Sequence, residues 1–186
     1  MHIKRTFFRN ILTLALLIAF CLSSLISCGG SNSQTYTMGE LTYTLPTYLK
    51  QFPYSGSDAA YRNTSDTVFI FIHSLNADKL TSEGLDSQVS VEDYVAYFID
   101  KNGFDEDGME LDLEYNDAKT KVTFDVVIGA APDDNEDEED TVLQYYFYTV
   151  VRGTDAIYVC QMLCDESNAT SYVGLFKEWS AGMSAS

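Results

Sequence analysis

The densest chemistry in the chain is the run Asp133-Asp134-Asn135-Glu136-Asp137-Glu138-Glu139-Asp140. Carboxylates at that density are hard oxygen ligands, and Ca²⁺ takes about six to eight such oxygens. Asp133, Asp134, Asp137, Glu139 and Asp140 are the candidate ligands of a calcium site. Asp133, Asn135 and Asp137 repeat the opening spacing of an EF-hand loop. The pattern then departs, with Glu138 at the glycine position and Gln144 at the bidentate glutamate position. The competing reading is a solvated hairpin tip, the usual fate of a like-charge run. Asp105-Glu106-Asp107 before Gly108 form a second, smaller acidic loop.

Other reactive side chains are sparse. After Cys28 the chain holds one histidine, His73, at the end of an apolar strand. One histidine cannot build a His-rich zinc site, and no G-x-S-x-G accompanies it to support a Ser/His/Asp triad. His73 is expected to be a structural or surface histidine. No P-loop and no G-x-G-x-x-G occurs, so nucleotide cofactors have no support. Glu92 and Asp93 read as acids of a helical first turn, favoured there by the helix dipole. Cys160 and Cys164 are four apart, about 13 Å along one strand. A disulfide needs Cα atoms within about 7 Å, so two buried free thiols are expected. A disulfide would require the strand to bend, and a reactive or metal role is the remaining alternative. Tyr145, Tyr146 and Tyr148 lie on both faces of one strand and are expected mainly to fill a sheet–helix interface. Stacking on sugars or partner side chains is the other reading.

The N-terminus reads as an address. Lys4, Arg5 and Arg9 precede the apolar run Ile11 to Leu22, which is short for a membrane span and suited to an export signal. Leu25-Ile26-Ser27-Cys28 then resembles the bacterial lipobox. That resemblance implies a diacylglyceryl group on the Cys28 sulfur and cleavage before it. The alternative is an uncleaved anchor helix with an incidental cysteine. The expected organisation is a signal peptide over 1–27, a lipidated cysteine with a flexible tether over 28–35, and one domain over 36–186. Six Gly/Ser-rich tether residues span about 13 Å as a coil, which holds the domain near the bilayer. Two or more acyl chains make the anchoring stable. The expected location is the cell membrane, facing outside the cytoplasm, at the cell surface or in the periplasm.

From Cys28 onward, 28 acidic side chains face 8 basic ones, a net charge of −20. So few cations exclude nucleic acid as a partner, and an anionic membrane face would repel the domain. Divalent cations or basic partners would be attracted. About 150 residues suffice for one domain with a sizeable core.

The elements that must position these residues read as mixed α and β. Met109 to Tyr115 alternates apolar and acidic residues, as in a half-exposed antiparallel strand. Asn116-Asp117-Ala118 marks a turn and Lys121 to Ile128 the returning strand, with Lys119 and Lys121 able to face Glu114 and Asp112. Val142 to Arg152 and Ala156 to Cys164 form a second hairpin around Gly153-Thr154-Asp155. Their nearly continuous apolar runs predict strands covered on both faces. Leu41 to Leu45 and Val68 to His73 are further strands, with Met38-Gly39-Glu40 as a turn. Ser90 caps a helix carrying Val91, Tyr94, Val95 and Phe98, with Asp93 closing a capping box, Val89 as staple and Gly103 as terminator. A second helix runs from about Ala169 to Met183, capped by Ser167 or Asn168, with Tyr172, Phe176, Trp179 and Met183 facing the core.

This order resembles the PsbP-like α/β sandwich, shared by bacterial lipoproteins of the DcrB type. The resemblance rests on GELTYTLPTYLKQF, Tyr61-Arg62-Asn63, VFIFIHSL, VEDYVAYFI, RGTDAIYVCQMLC and YVGLFKEWSAGM. It implies an α+β fold, an antiparallel sheet of about six strands packed with two main helices. It also implies a binding or assembly role and supplies no active site to carry over. The expected function is a membrane-anchored, non-catalytic binding or assembly module with a possible envelope protein partner. The alternatives are a calcium- or small-ligand-binding surface protein and a cryptic cell-envelope hydrolase.

Overall fold

Strands dominate, and each forms where apolar residues alternate or run continuously between turn residues. The computed structural model describes residues 32–104, 111–129 and 143–186. Cys28 with everything before it, Met109, and both acidic runs, including Asp133, Asp134, Asp137, Glu139 and Asp140, lie outside the described residues. β1 (Ser33–Met38), β2 (Leu41–Pro46), β3 (Lys50–Gln51), β4 (Ala59–Arg62) and β5 (Val68–Asn76) come first. Helices α1 (Ala77–Ser82) and α2 (Val91–Asn102) follow. Then come β6 (Glu114–Tyr115), β7 (Lys121–Gly129), β8 (Leu143–Arg152) and β9 (Ala156–Asp165), with α3 (Ala169–Ala181) and β10 (Ser184–Ala185) closing the chain.

One sheet has the order β3-β4-β5-β9-β8-β7-β6 and the other β1-β2-β10. Every pairing is antiparallel. The class is therefore the expected α+β, with the expected meander of β6 to β9. The strand count exceeds the expected six, and α1 is an additional helix. The extra elements are short: β3, β6 and β10 span two residues each, too few to carry a period. Ser33–Ser186 make one compact unit, and β1 begins at Ser33, within the segment expected to be a tether.

The seven-stranded sheet is a middle layer with two cores. On its inner face Ile70, Ile72, Phe147 and Met162 meet Phe176 and Trp179 of α3 and Leu41, Tyr43 and Leu45 of β2. On its outer face Val122, Phe124, Val150, Ile157 and Val159 meet Val91, Tyr94 and Val95 of α2. Burial on both faces explains the unbroken apolar sequence of β8 and β9. Tyr145 and Tyr148, on opposite faces of β8, are each only 5% exposed, so both fill interfaces as expected.

The helix ends show how local sequence sets the boundaries. The Asp93 amide donates to Ser90 Oγ at 3.1 Å, and that hydroxyl donates to the Asp93 carboxylate at 2.7 Å. Gly103 ends α2 in the left-handed conformation at φ +67°, which glycine adopts without steric cost. In α3 the core stripe is as expected, but Asn168 makes no side-chain capping bond. A 3₁₀ turn over Glu166–Asn168 leads into the helix instead.

Two expectations need correction. Of the strand foreseen over Met109 to Tyr115, only Glu114–Tyr115 pairs among the described residues. Leu111, Leu113 and Tyr115 still pack on the outer core, so the alternation identifies the faces but not the length. Lys119 and Lys121 do not face Glu114 and Asp112. Glu114 lies opposite Thr123 and Tyr115 opposite Val122. The turn is wider than three residues because the Asn116 side chain accepts from the amides of both Thr120 and Lys121. Lys119, at φ +53° in that turn, reaches Glu92 at 2.7 Å. The Lys121 ammonium instead donates to the Ser180 and Met183 carbonyls, capping the C-terminus of α3 where the helix dipole favours a cation.

Candidate binding cleft

Alternation along β5 prepares a site on the outer face. Val68, Ile70 and Ile72 are at most 1% exposed on the inner side, which turns His73 and Leu75 outward with the odd-numbered residues. Helix α2 crosses above them, and α1 brings in Glu83 at its C-terminus. Between them lies an open cleft of about 220 Å³. Leu75, Val159, Tyr94 and Phe98 provide apolar wall, and Glu83, Tyr97, Lys101 and Asn102 provide polar groups beside His73.

The polar groups are tied to one another. The Tyr97 hydroxyl donates to the Glu83 carboxylate at 2.6 Å, and the Lys101 ammonium donates to the same oxygen. Lys101 also sits over the Tyr97 ring, 5.4 Å from its centroid. The Lys101 hydrogen bond, then that of Tyr97, holds the Glu83 carboxyl below its ordinary range. Glu83 in turn holds Lys101 above its own. Burial pushes the Tyr94 phenol up, so it stays protonated. Burial pulls the His73 imidazole down, opposed by Asp58 and reinforced by Lys79.

Chemically this arrangement offers an apolar wall beside polar groups that are paired with one another, which suits binding. Lys101 is held charged and Tyr94 held protonated, so neither is an activated nucleophile. Among the described residues no Ser, Thr or Cys side chain hydrogen-bonds to His73. Among them, too, no three His, Cys, Asp or Glu side chains converge as a metal site would. No helix among them is long and apolar enough to cross a membrane.

Of the side chains weighed for chemistry in the sequence, His73 lines the cleft, and Tyr94 and Phe98, expected as the apolar stripe of α2, line it as well. Cys160 and Cys164 lie elsewhere, on the inner face of β9, as free and buried thiols. Burial pushes both up, Cys164 to about 11. Glu92 and Asp93 stand in the first turn of α2, as expected. Glu83, Tyr97 and Lys101 were not foreseen. The four-residue spacing of Tyr97 and Lys101 on one helix face is a legible signal. Glu83 carries none, because it meets them only through the fold.

No protein-family model matches the chain, and no curated protein sequence matches it. Solved structures do. The solution structure of cyanobacterial PsbP (CyanoP) from Synechocystis sp. PCC 6803 aligns with a TM-score of 0.56 at 12% identity, covering 85% of this chain and 95% of that one. The Ran-binding protein Mog1p of Saccharomyces cerevisiae aligns with a TM-score of 0.49 at 12% identity, over 79% of this chain and 85% of that one. At such identity the likeness to CyanoP concerns the fold, and the chain has a PsbP-like α+β fold.

Proposed function

We propose that this chain is a lipid-anchored extracytoplasmic module that binds or helps to assemble a partner and performs no chemical step. The observation that carries the reading is the cleft between α2 and the sheet. Its apolar walls surround charges that satisfy each other and are not aimed at a reacting atom. Such a surface offers a pocket for an apolar side chain with a polar rim for orientation. The PsbP-like fold is compatible with this role but does not select it, since one fold hosts many functions. Cys28 supplies the membrane attachment in this reading, and the segment after it keeps the module within a few nanometres of the bilayer.

The test is site-directed photocrosslinking in the cell of origin. A photoreactive residue at Asn102, beside the cleft, is expected to capture one envelope protein reproducibly. The same residue at Glu178, on the exposed side of α3, is expected to capture none. Equal or absent capture at the two positions would refute the reading. Replacing Cys28 by serine is expected to move the protein out of the membrane fraction.

A further inference from the structure

His73 is the one histidine after Cys28, and it stands in the wall of the cleft. It projects half-buried from β5 beside Leu75, with Val159 of β9 opposite it in the register. Asp58, just before β4, sends its amide to the Ile72 carbonyl at 2.9 Å, and its carboxylate accepts from the Ser74 amide at 2.6 Å. Lys79 of α1 donates to that carboxylate at 3.4 Å and to the Ser74 carbonyl at 2.7 Å. Glu83, at the end of α1, is held by Lys101 and Tyr97 of α2, and Tyr94 adds a phenol that stays protonated. Each of these two carboxylates thus has its own lysine among the described residues, so an imidazolium at His73 finds no unpaired partner in them.

This pairing sets the chemistry of both the wall and its occupant. A neutral imidazole is tolerated in an apolar wall, whereas an imidazolium adds a charge that only water can satisfy. Burial already pulls His73 below its ordinary 6.5, with Asp58 opposing and Lys79 reinforcing. A group seated on Leu75, Val159 and Phe98 would strip further water from the ring, and desolvation penalises the charged form. A charged occupant gains little, because Glu83 and Lys101 already satisfy each other. The cleft, at about 220 Å³, suits a single uncharged apolar side chain.

We infer that the proton is a second ligand of this cleft, exclusive with an uncharged apolar side chain of the partner. The cleft holds that side chain while His73 is neutral and releases it when acid charges the ring. The inference rests on the binding role proposed above and adds its regulation. Exclusion of this kind is reciprocal: protonation weakens binding of the side chain by the same factor by which the side chain weakens protonation.

The test uses the full chain in a nonionic detergent and N-acetyl-leucinamide as probe, which carries no charge across the pH range. Imidazole signals are titrated by NMR without probe and with probe at saturation, and His73→Gln tells His73 from His2. The His73 midpoint is expected to fall by about half a pH unit or more on saturation. Probe affinity is read from backbone amide shifts at about one pH unit either side of that midpoint. It is expected to be about threefold or more weaker on the acid side. In His73→Gln the two affinities are expected to agree. An unmoved midpoint in the unaltered chain would overturn the gate and leave the binding role standing, as would an acid loss that persists in His73→Gln. A probe that binds at neither pH, or that leaves the signals of Leu75, Phe98 and Val159 unmoved, would overturn the gate and the binding role together.

Discussion

The Tyr158 hydroxyl accepts a hydrogen bond from the Glu40 amide at 2.8 Å, joining β9 to the turn between β1 and β2. The Glu40 carboxylate in turn accepts from the Asp155 amide at 3.0 Å. These contacts stitch the three-stranded sheet to the seven-stranded one. Glycines make the approach possible. A Cβ on Gly39, itself at φ +59°, would stand 2.6 Å from the Tyr158 hydroxyl, and one on Gly153 would collide with the Glu40 carboxylate.

Tyr158→Phe removes the acceptor and leaves the Glu40 amide without it. The expected loss is about 1–2 kcal/mol, read as a melting temperature lower by roughly 3–8 °C. A change under about 1 °C would mean that water takes over the amide.

Acid should act on the cleft in two steps. Burial lowers the folded pKa of His73 below the ordinary 6.5, so the unfolded chain binds that proton more tightly. Stability is thus complete above about pH 6.5 and falls as pH drops below it. Glu83 is also lowered, from 4.5, so its contribution is present above about pH 4.5 and lost as pH falls through its folded value. Urea midpoints measured against pH should show both. His73→Gln is expected to flatten the first step and Glu83→Gln only the second.

The cysteines should be chemically silent in the folded chain. Burial raises both thiols, and the thiolate is the reactive species. A thiol-specific chromophore at pH 7.5 is expected to label neither Cys160 nor Cys164 until denaturant is added, and then both. Fast labelling of the native protein would show that β9 opens locally.

For the acidic run the expectation concerns specificity. Solvated like charges respond to any divalent cation, whereas an oxygen cage distinguishes Ca²⁺ from the smaller Mg²⁺. Thermal unfolding is expected to shift equally with either ion. A saturable shift with Ca²⁺ alone, abolished by deleting residues 133–140, would instead establish a metal site, since a ligand at 100 times its dissociation constant adds about 2.7 kcal/mol.

Legibility followed the length and amphipathicity of each element. The β8–β9 hairpin was readable because two long apolar runs flank Gly153-Thr154-Asp155, and α2 because Ser90, Asp93 and Gly103 punctuate it. Helix α1 was not, since six residues with Leu80 as their one buried side chain carry no period. β4 was not, because Ala59 and Ala60 give little hydrophobic contrast. Within the cleft, His73 drew notice by its rarity. The bond between Glu83 and Lys101 could not, because residues 18 apart meet only after α1 and α2 have packed on one sheet. Lys121 misled for a related reason: its partners are carbonyls near the chain's far end, and backbone acceptors leave no mark on composition.

The position of β1 has a mechanical consequence. It borders β2 on one side while β10 borders β2 on the other, and Ser33 stands at the open end of the β1–β2 hairpin, opposite Pro46. Tension arriving through the preceding chain therefore loads the Ser33–Pro46 end first, where proline has no amide hydrogen to give. The pairs then open in succession toward Gly39 and are not sheared all together, so β1 is the strand that peels under load. Each step also lifts Tyr36 and Met38 off the inner core, where Tyr36 stacks on Tyr43 and meets Tyr61, so aromatic packing resists the peel together with the backbone pairs.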